Sequence, residues 1–344
     1  MKVIAVNNPA AKEGGALTIL TKFIENLYNS KCKNTFYIFV SVAELKRFEK
    51  ENIKIIVLPR QNFIKRIIWD NFNFRNYLKK NNIQPDIVLS IQNTGLNINN
   101  KIPQLLYYHQ SLPLSEKRWN VFDKKQRVYW LYKNIYPFFI KQNLSKIDKI
   151  IVQTEWVKEA FVKKFNFSRD HIFVDKPSIK MPEIDKVKII PKDKFRIFYP
   201  ASPLIYKNHK IIVENLGKIK EKFSELDSRL ECIFTFSKGE NNEVDKLVQK
   251  YKLENTVNLI GKISYEKVLE YYKSSDLLIF PSYIETLGLP LLEAQHFNLE
   301  ILAIELPYTR ELLKNYEKKI YFNDNFYSKL FEILKNKNVV SESV

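Results

Sequence analysis

Short apolar runs alternate with amphipathic stretches along most of this chain. Residues 3–6, 36–40, 55–58, 86–90, 104–108 and 149–153 are brief runs rich in β-branched or aromatic side chains, as strands are. Between the first two, residues 16–28 repeat Leu17, Leu20, Ile24 and Leu27 at helical spacing, which gives one apolar face. Residues 119–149 are dense in basic and aromatic side chains and predict mostly helix, with a further helix over 154–165. Residues 176–194 hold Pro177, Pro182 and Pro191 without clear periodicity, as a linker does. The alternation then restarts. Strands are expected at 195–199, 231–236, 257–260, 277–280, 300–304 and near 320–322, and helices at 208–223, 243–251, 265–273 and 290–296. Residues 339–344 predict a frayed tail.

Strand and helix in strict alternation predict parallel sheets covered by helices on both faces. Two such series predict two doubly wound α/β domains of the Rossmann-like kind, 1–175 and 195–338, joined by a linker at 176–194. Ligands of open α/β sheets bind beyond the carboxyl ends of the strands, so a cleft at those ends is the expected site.

The length of 344 residues suits two domains of about 150–180 residues each, and 45% hydrophobic residues argues against a disordered chain. Cys32 and Cys232 lie in different halves with no CxxC spacing, which favours two buried thiols over a disulfide or zinc framework. The apolar run of residues 1–6 is too short for a signal peptide, and nothing approaches the roughly 20 residues of a membrane helix. A cytoplasmic protein is expected. Its charge of +18 is uneven: residues 1–175 carry 29 Lys and Arg against 14 Asp and Glu, a net +15, while the remainder carries 27 against 24, a net +3. Such asymmetry suits an anionic partner, or reflects lysine-rich composition alone. No nucleic-acid module is recognisable, which disfavours that partner. Two basic aromatic stretches, Phe63 to Arg75 and Lys117 to Lys141, suit the cytoplasmic face of an anionic inner membrane, and equally suit core helices with solvated lysines.

Candidate chemistry gathers after the strand at 277–280. Pro281 ends it, and Gly288 and Pro290 mark a turn into a helix. Glu285 then sits in the loop and Glu293, eight positions on, one turn inside the helix. A helix start presents unpartnered N–H groups that hold phosphate, and carboxylates on either side accept bonds from sugar hydroxyls. The bland alternative is a pair of ordinary acids favoured by the helix dipole. Other candidates follow strands too: Gly14 and Gly15 after the first, where glycines permit close backbone approach; Asn93 to Gly95; His109; Ser202 and Lys207; and the corner at Lys262 and Ile263 before a helix capped by Ser264. No His, Cys or acidic cluster has metal-ligand spacing.

The 281–294 segment resembles the E-x7-E signature of retaining glycosyltransferases of family 4, which have the GT-B fold of two Rossmann-like domains facing a central cleft. Pro281, Ser282, Glu285, Gly288, Leu289, Pro290, Leu292, Glu293 and Ala294 match, while Thr286 and Leu287 replace Gly and Phe. The resemblance implies transfer of a sugar from a nucleotide-diphosphate-sugar donor to a glycan acceptor, lipid-linked, in bacterial surface polysaccharide assembly, without cofactor or metal. It assigns Glu285 to the donor sugar, Glu293 to the ribose, and Lys207, Gly14, Gly15 and the turn amides of Thr286, Leu287 and Gly288 to the diphosphate. It sets His109 near the donor sugar and makes Lys262 and Ile263 a wall of the nucleobase pocket. Ser202 stands where the family often has an Arg, which puts diphosphate neutralisation in doubt unless His209, Lys210 or a residue of the first domain compensates. Alternatives are a family relative with impaired catalysis, a GT-B sugar epimerase, and a basic membrane- or nucleic-acid-binding protein.

Overall fold

The computed structural model describes residues 1–177 and 179–341. The chain divides into two compact units, Met1–Pro177 and Ser178–Val344. In the first, β1 (Val3–Asn7), β2 (Thr35–Val40), β3 (Ile53–Val57), β4 (Ile87–Ser90), β5 (Gln104–Tyr108), β6 (Lys149–Val152) and β7 (Ile172–Val174) form one parallel sheet in the order β3-β2-β1-β4-β5-β6-β7. Strand alternation decides what packs where. Val6, Ile38 and Val40 point to one face with Leu20 and Ile24 of the helix Gly14–Asn29, while Ala5, Phe39 and Val88 point to the other with Trp69, Phe74 and Leu78. A third cluster joins Leu106, Tyr108 and Val152 to Ile140 and Phe161.

The second unit repeats the plan with β8 (Phe195–Tyr199), β9 (Leu230–Phe234), β10 (Val257–Leu259), β11 (Leu277–Phe280), β12 (Glu300–Ile304) and β13 (Lys319–Phe322), ordered β10-β9-β8-β11-β12-β13. All four residues of β11 are buried, as expected of a central parallel strand covered on both faces. In both sheets the strand order reverses beside the first strand, at β1/β4 and at β8/β11. Loops leaving the strands there splay apart and leave room for a ligand. This is the GT-B fold.

The structure corrects the sequence reading in several places. Helices Pro307–Leu312 and Phe326–Asn336 and strand β7 are present where no element is expected. Val339 and Val340 are buried and bond through their N–H groups to the Leu334 carbonyl, so this part of the expected tail is folded; residues 342–344 lie outside the described residues. In the proline-rich stretch, Ser178 also lies outside them, Pro177 ends the first unit, and the part from Pro182 to Lys192 is tied to the second. The Lys273 ammonium bonds to the carbonyls of Ile184 and Val187, Ile190 N–H bonds to Ser274 Oγ at 2.7 Å, and Lys192 pairs with Asp276.

Each basic aromatic stretch is partly core. Trp69 and Phe74 are buried against Phe39, and Trp119, Tyr136 and Ile140 are buried as well. Phe63, Ile64, Ile68, Phe72 and Phe138 remain exposed. No helix among the described residues is long and apolar enough to cross a membrane.

Candidate functional site

β8 and β11 are neighbours, so the loops that follow them leave the sheet side by side. One hydrogen bond joins the two loops, and two more anchor them, one each, to their surroundings. Tyr283 N–H donates to the Tyr206 carbonyl at 2.8 Å, the Tyr199 hydroxyl donates to the Lys207 carbonyl at 2.8 Å, and the Tyr308 hydroxyl donates to the Ser282 carbonyl at 2.5 Å. This framework brings Lys207 Nζ to 2.5 Å from Glu285 Oε1, with the two side chains only 14% and 13% exposed. A pair so sheltered from water is screened far less than a surface pair, and its desolvation cost is offset only while both partners are present.

Beyond Glu285, Thr286 and Leu287 are half-buried and lead to Gly288. Gly288 has φ +62°, a conformation that favours glycine, and a Cβ there would sit 2.7 Å from Leu312 Cδ1, so that side chain would have to shift. Gly288 caps the helix Leu289–His296, whose second residue is Pro290. The first N–H groups of this helix have no intrahelical partner and carry the positive end of its dipole.

Glu293 lies one turn into that helix and is 7% exposed. Tyr265, at the start of helix Tyr265–Ser274, donates its hydroxyl to Glu293 Oε1 at 3.0 Å. The buried Tyr272 hydroxyl faces the same carboxylate without reaching full hydrogen-bond geometry. Burial raises the Glu293 pKa above the usual carboxylate range, and the Tyr272 and Tyr265 hydroxyls pull it partly back. The Tyr265 phenol is itself pushed up to about 12, first by desolvation and then by the Glu293 charge.

Glu293, Ser202, Lys262, Ile263 and Tyr265 border one cavity of about 610 Å³ within the second unit, together with Glu240. Ser202 and Leu289 of its wall belong to the two loops that also carry Lys207 and Glu285. The volume is that of a small-molecule site. Neither nearby basic candidate supplies the charge that Ser202 lacks. His209 is 1% exposed, its rings of contact are Tyr199, Phe234 and Phe236, and burial lowers its pKa to about 3, so the imidazole is neutral. Lys210 is drawn instead to Glu243 at 2.7 Å and Glu214 at 3.6 Å. Lys262 is the cation on the cavity wall.

The first unit holds the remaining candidates at the carboxyl ends of its strands. Gly14 and Gly15 open the helix after β1, and a Cβ at Gly15 would meet nothing within 4 Å, so the space in front of it is open. His109 follows β5. Its N–H donates to Asn93 Oδ1 at 2.7 Å, Asn93 adopts φ +68°, and burial pushes the imidazole pKa down to about 4. Tyr265, Tyr272 and Glu240 are absent from the sequence reading. Tyr265 lies 28 residues from Glu293, and no local spacing joins them. Among the described residues no group of three or more His, Cys, Asp or Glu is placed to hold a metal.

Comparison with known proteins bears on this arrangement. The family described as Glycosyl transferases group 1 matches residues 180–338, and the family described as Glycosyltransferase Family 4 matches residues 14–174. Similar curated proteins include the D-inositol 3-phosphate glycosyltransferase of an Arthrobacter species, 20% identical over 45% of this chain and 39% of its own length. Another is the O-antigen chain mannosyltransferase RfbU of Salmonella typhimurium, 22% identical over 60% of this chain and 57% of its own. The chain thus spans about half the length of the curated relatives it matches. Among solved structures, Anabaena HepE in complex with UDP and glucose superposes with a TM-score of 0.62 at 14% identity, covering 98% of this chain and 89% of that one.

Proposed function

Because this chain belongs to the family 4 glycosyltransferases of group 1, we propose that it transfers a sugar, with retention, from a nucleoside-diphosphate-sugar donor to a lipid-linked glycan acceptor in bacterial surface polysaccharide assembly. The observation that carries this reading is the second unit's cavity. Glu293 and a helix amino terminus border it, and the sheltered Lys207–Glu285 pair lies on the same loops. Support comes from HepE, whose structure holds UDP and glucose, and from RfbU, which is described as an O-antigen mannosyltransferase.

In this reading Glu293 accepts bonds from the ribose, Lys262 and Ile263 wall the base, and the amides of Thr286 to Gly288 with Lys207 take the diphosphate. As the bond between the sugar C1 and the phosphate oxygen breaks, negative charge grows on the leaving diphosphate. Fixed donors at that point stabilise the transition state more than the ground state. The acceptor oxygen bonds to C1 on the face the phosphate leaves, and its proton passes to the departing phosphate. Glu285 contacts the donor sugar once Lys207 turns to the phosphate. The exposed Phe63, Ile64, Ile68 and Phe72 beside Lys65 suit peripheral contact with an anionic membrane at its cytoplasmic face. The test incubates UDP- and GDP-sugars with bacterial glycolipid and reads nucleoside diphosphate release and the product anomer by NMR. A retained anomer is expected; an inverted product, or no release with any donor, refutes the proposal.

A further inference from the structure

A second cavity, of about 550 Å³, lies wholly within the first unit, and none of the roles proposed above uses it. Lys12 reaches it from the loop after β1, Ser41 from the end of β2, Arg47 from the 3-10 turn Ala43–Phe48, and Arg60 from the segment after β3. Three separate segments, those that follow β1, β2 and β3, therefore converge at the carboxyl ends of adjacent strands, the side of an open α/β sheet where ligands bind.

Charge is the notable property of this cavity. Lys12, Arg47 and Arg60 face it, against the single acid Glu44. Among the described residues none of the three cations takes part in an ion pair; Lys12 bonds to the Gln61 carbonyl at 2.8 Å and Arg47 lies over the Phe48 ring. Converging like charges repel one another, and a concave wall concentrates their field. Ser41 also lines the cavity, and its hydroxyl, turned inward, takes part in no hydrogen bond. An unsatisfied buried polar atom is costly, and its pairing by a ligand recovers that cost.

From this geometry we infer that the cavity binds a hydroxylated anion, a sugar bearing a phosphate or carboxylate group. The guanidinium forks of Arg47 and Arg60 and the Lys12 ammonium meet the anionic group, and the Ser41 hydroxyl, on rotating toward the cavity, donates to one of its oxygens. The volume accommodates more than one sugar ring. Taken together with the transferase reading, on which this assignment rests, the ligand is the acceptor glycan, and part of the first unit's positive charge is a recognition device for it.

Arginine footprinting on the full chain tests this directly. Phenylglyoxal modification of individual arginines is followed by peptide mass spectrometry with glucose 6-phosphate, glucuronate, glucose or chloride at matched ionic strength. Glucose 6-phosphate or glucuronate is expected to slow modification of Arg47 and Arg60 by about fivefold or more, as charge-assisted pairing does, while glucose and chloride do not and the exposed Arg75 and Arg118 are unaffected. A Ser41→Ala variant should lose part of the protection. Equal protection of all four arginines, or none, overturns the site. A thermal-shift assay for nucleoside diphosphates on the same preparation separates the two claims. Protection of Arg47 and Arg60 without any nucleotide binding refutes the assignment to an acceptor, and nucleotide binding without protection refutes the anion site alone.

Discussion

Lys207 Nζ and Glu285 Oε1 are 2.5 Å apart, although 78 residues separate them in the chain. In the family reading each has its own place on the donor, Lys207 on the diphosphate and Glu285 on the sugar. Here they satisfy each other, and a buried charge left without its partner is penalised, so each group holds the other in place.

Replacing either partner therefore lowers both stability and turnover. Glu285→Gln keeps the shape but removes the counter-charge of the sheltered Lys207 ammonium, so Tm falls, and kcat/KM for transfer falls by about 100-fold, or about 3 kcal/mol of transition-state stabilisation. Lys207→Ala strands the carboxylate and costs about 3–5 kcal/mol of stability as well as activity. Thermal melts and initial rates of both variants check this; an active Glu285→Gln enzyme would remove the residue from the reaction.

Ser202 borders the cavity where the resembled family often has an Arg, and neither His209 nor Lys210 stands in for it. Ser202→Arg should tighten nucleoside diphosphate binding by about tenfold, the worth of about 1.4 kcal/mol from a charge-assisted fork. Calorimetric titration of wild type and variant decides it. Unchanged affinity would mean that the diphosphate does not pass this wall.

Tyr265 hydrogen-bonds the Glu293 carboxylate. Its hydroxyl favours the ionised carboxylate, opposing the upward push of burial. Tyr265→Phe removes that bond, so the Glu293 pKa rises further. If the ionised carboxylate binds the ribose, affinity is lost as pH falls through this pKa, and the acid limb of the binding profile moves to higher pH in the variant. Titrations across the acid range read the shift, and coincident profiles contradict the role.

Asp70 gives a prediction about stability. It is buried in the first unit, where Gln92 donates to Oδ1 at 2.5 Å and Thr94 to Oδ2 at 2.8 Å, and desolvation raises its pKa to about 7 in spite of Arg66. A carboxyl whose folded pKa lies above its unfolded one stabilises the fold fully below the unfolded value, near 3.8, and loses that contribution as pH rises through about 7. The loss is on the order of 4 kcal/mol. Denaturant melts of wild type and Asp70→Asn from pH 4 to 8 should differ by a term that falls with pH; parallel curves would show that Asp70 is ionised throughout.

Gly288 is held by its backbone. Gly288→Ala forces a left-handed alanine, costing about 1–3 kcal/mol, while the Leu312 side chain shifts to make room. A lower Tm with weaker nucleotide binding is expected, and a Tm equal to wild type would contradict the strain.

The sequence makes the sheets legible because their central strands are buried on both faces. Phe195–Tyr199 and Leu277–Phe280 have the expected limits, since a nearly continuous apolar run buried on both faces has only one place to go, and Gln104–Tyr108 has them with alternating buried and half-buried residues. The helix Phe326–Asn336 also carries a readable signal, with Phe326, Leu330, Ile333 and Leu334 on one buried face. Expecting a last strand and a tail obscures it. The turn at Gly288 is equally visible, for glycine followed by proline has a local cause. What local pattern cannot reveal are the relationships set by chain topology: Lys207 with Glu285, Tyr265 with Glu293, and the meeting of Lys12, Arg47 and Arg60. Each depends on which strands are neighbours, and the strand order is a property of the sheet rather than of any segment.

Whether the second unit's cavity takes a nucleoside diphosphate is decided by a thermal-shift titration of the full chain with UDP, GDP, ADP and CDP, beside Glu293→Ala and an inorganic polyphosphate control. At least one nucleotide should raise Tm in proportion to RT ln(1 + [L]/Kd), about 2.7 kcal/mol of stabilisation at 100 times Kd, and Glu293→Ala should remove most of that rise. No shift with any nucleotide, while polyphosphate stabilises wild type and variant alike, would contradict a transferase and leave a basic polyanion-binding protein.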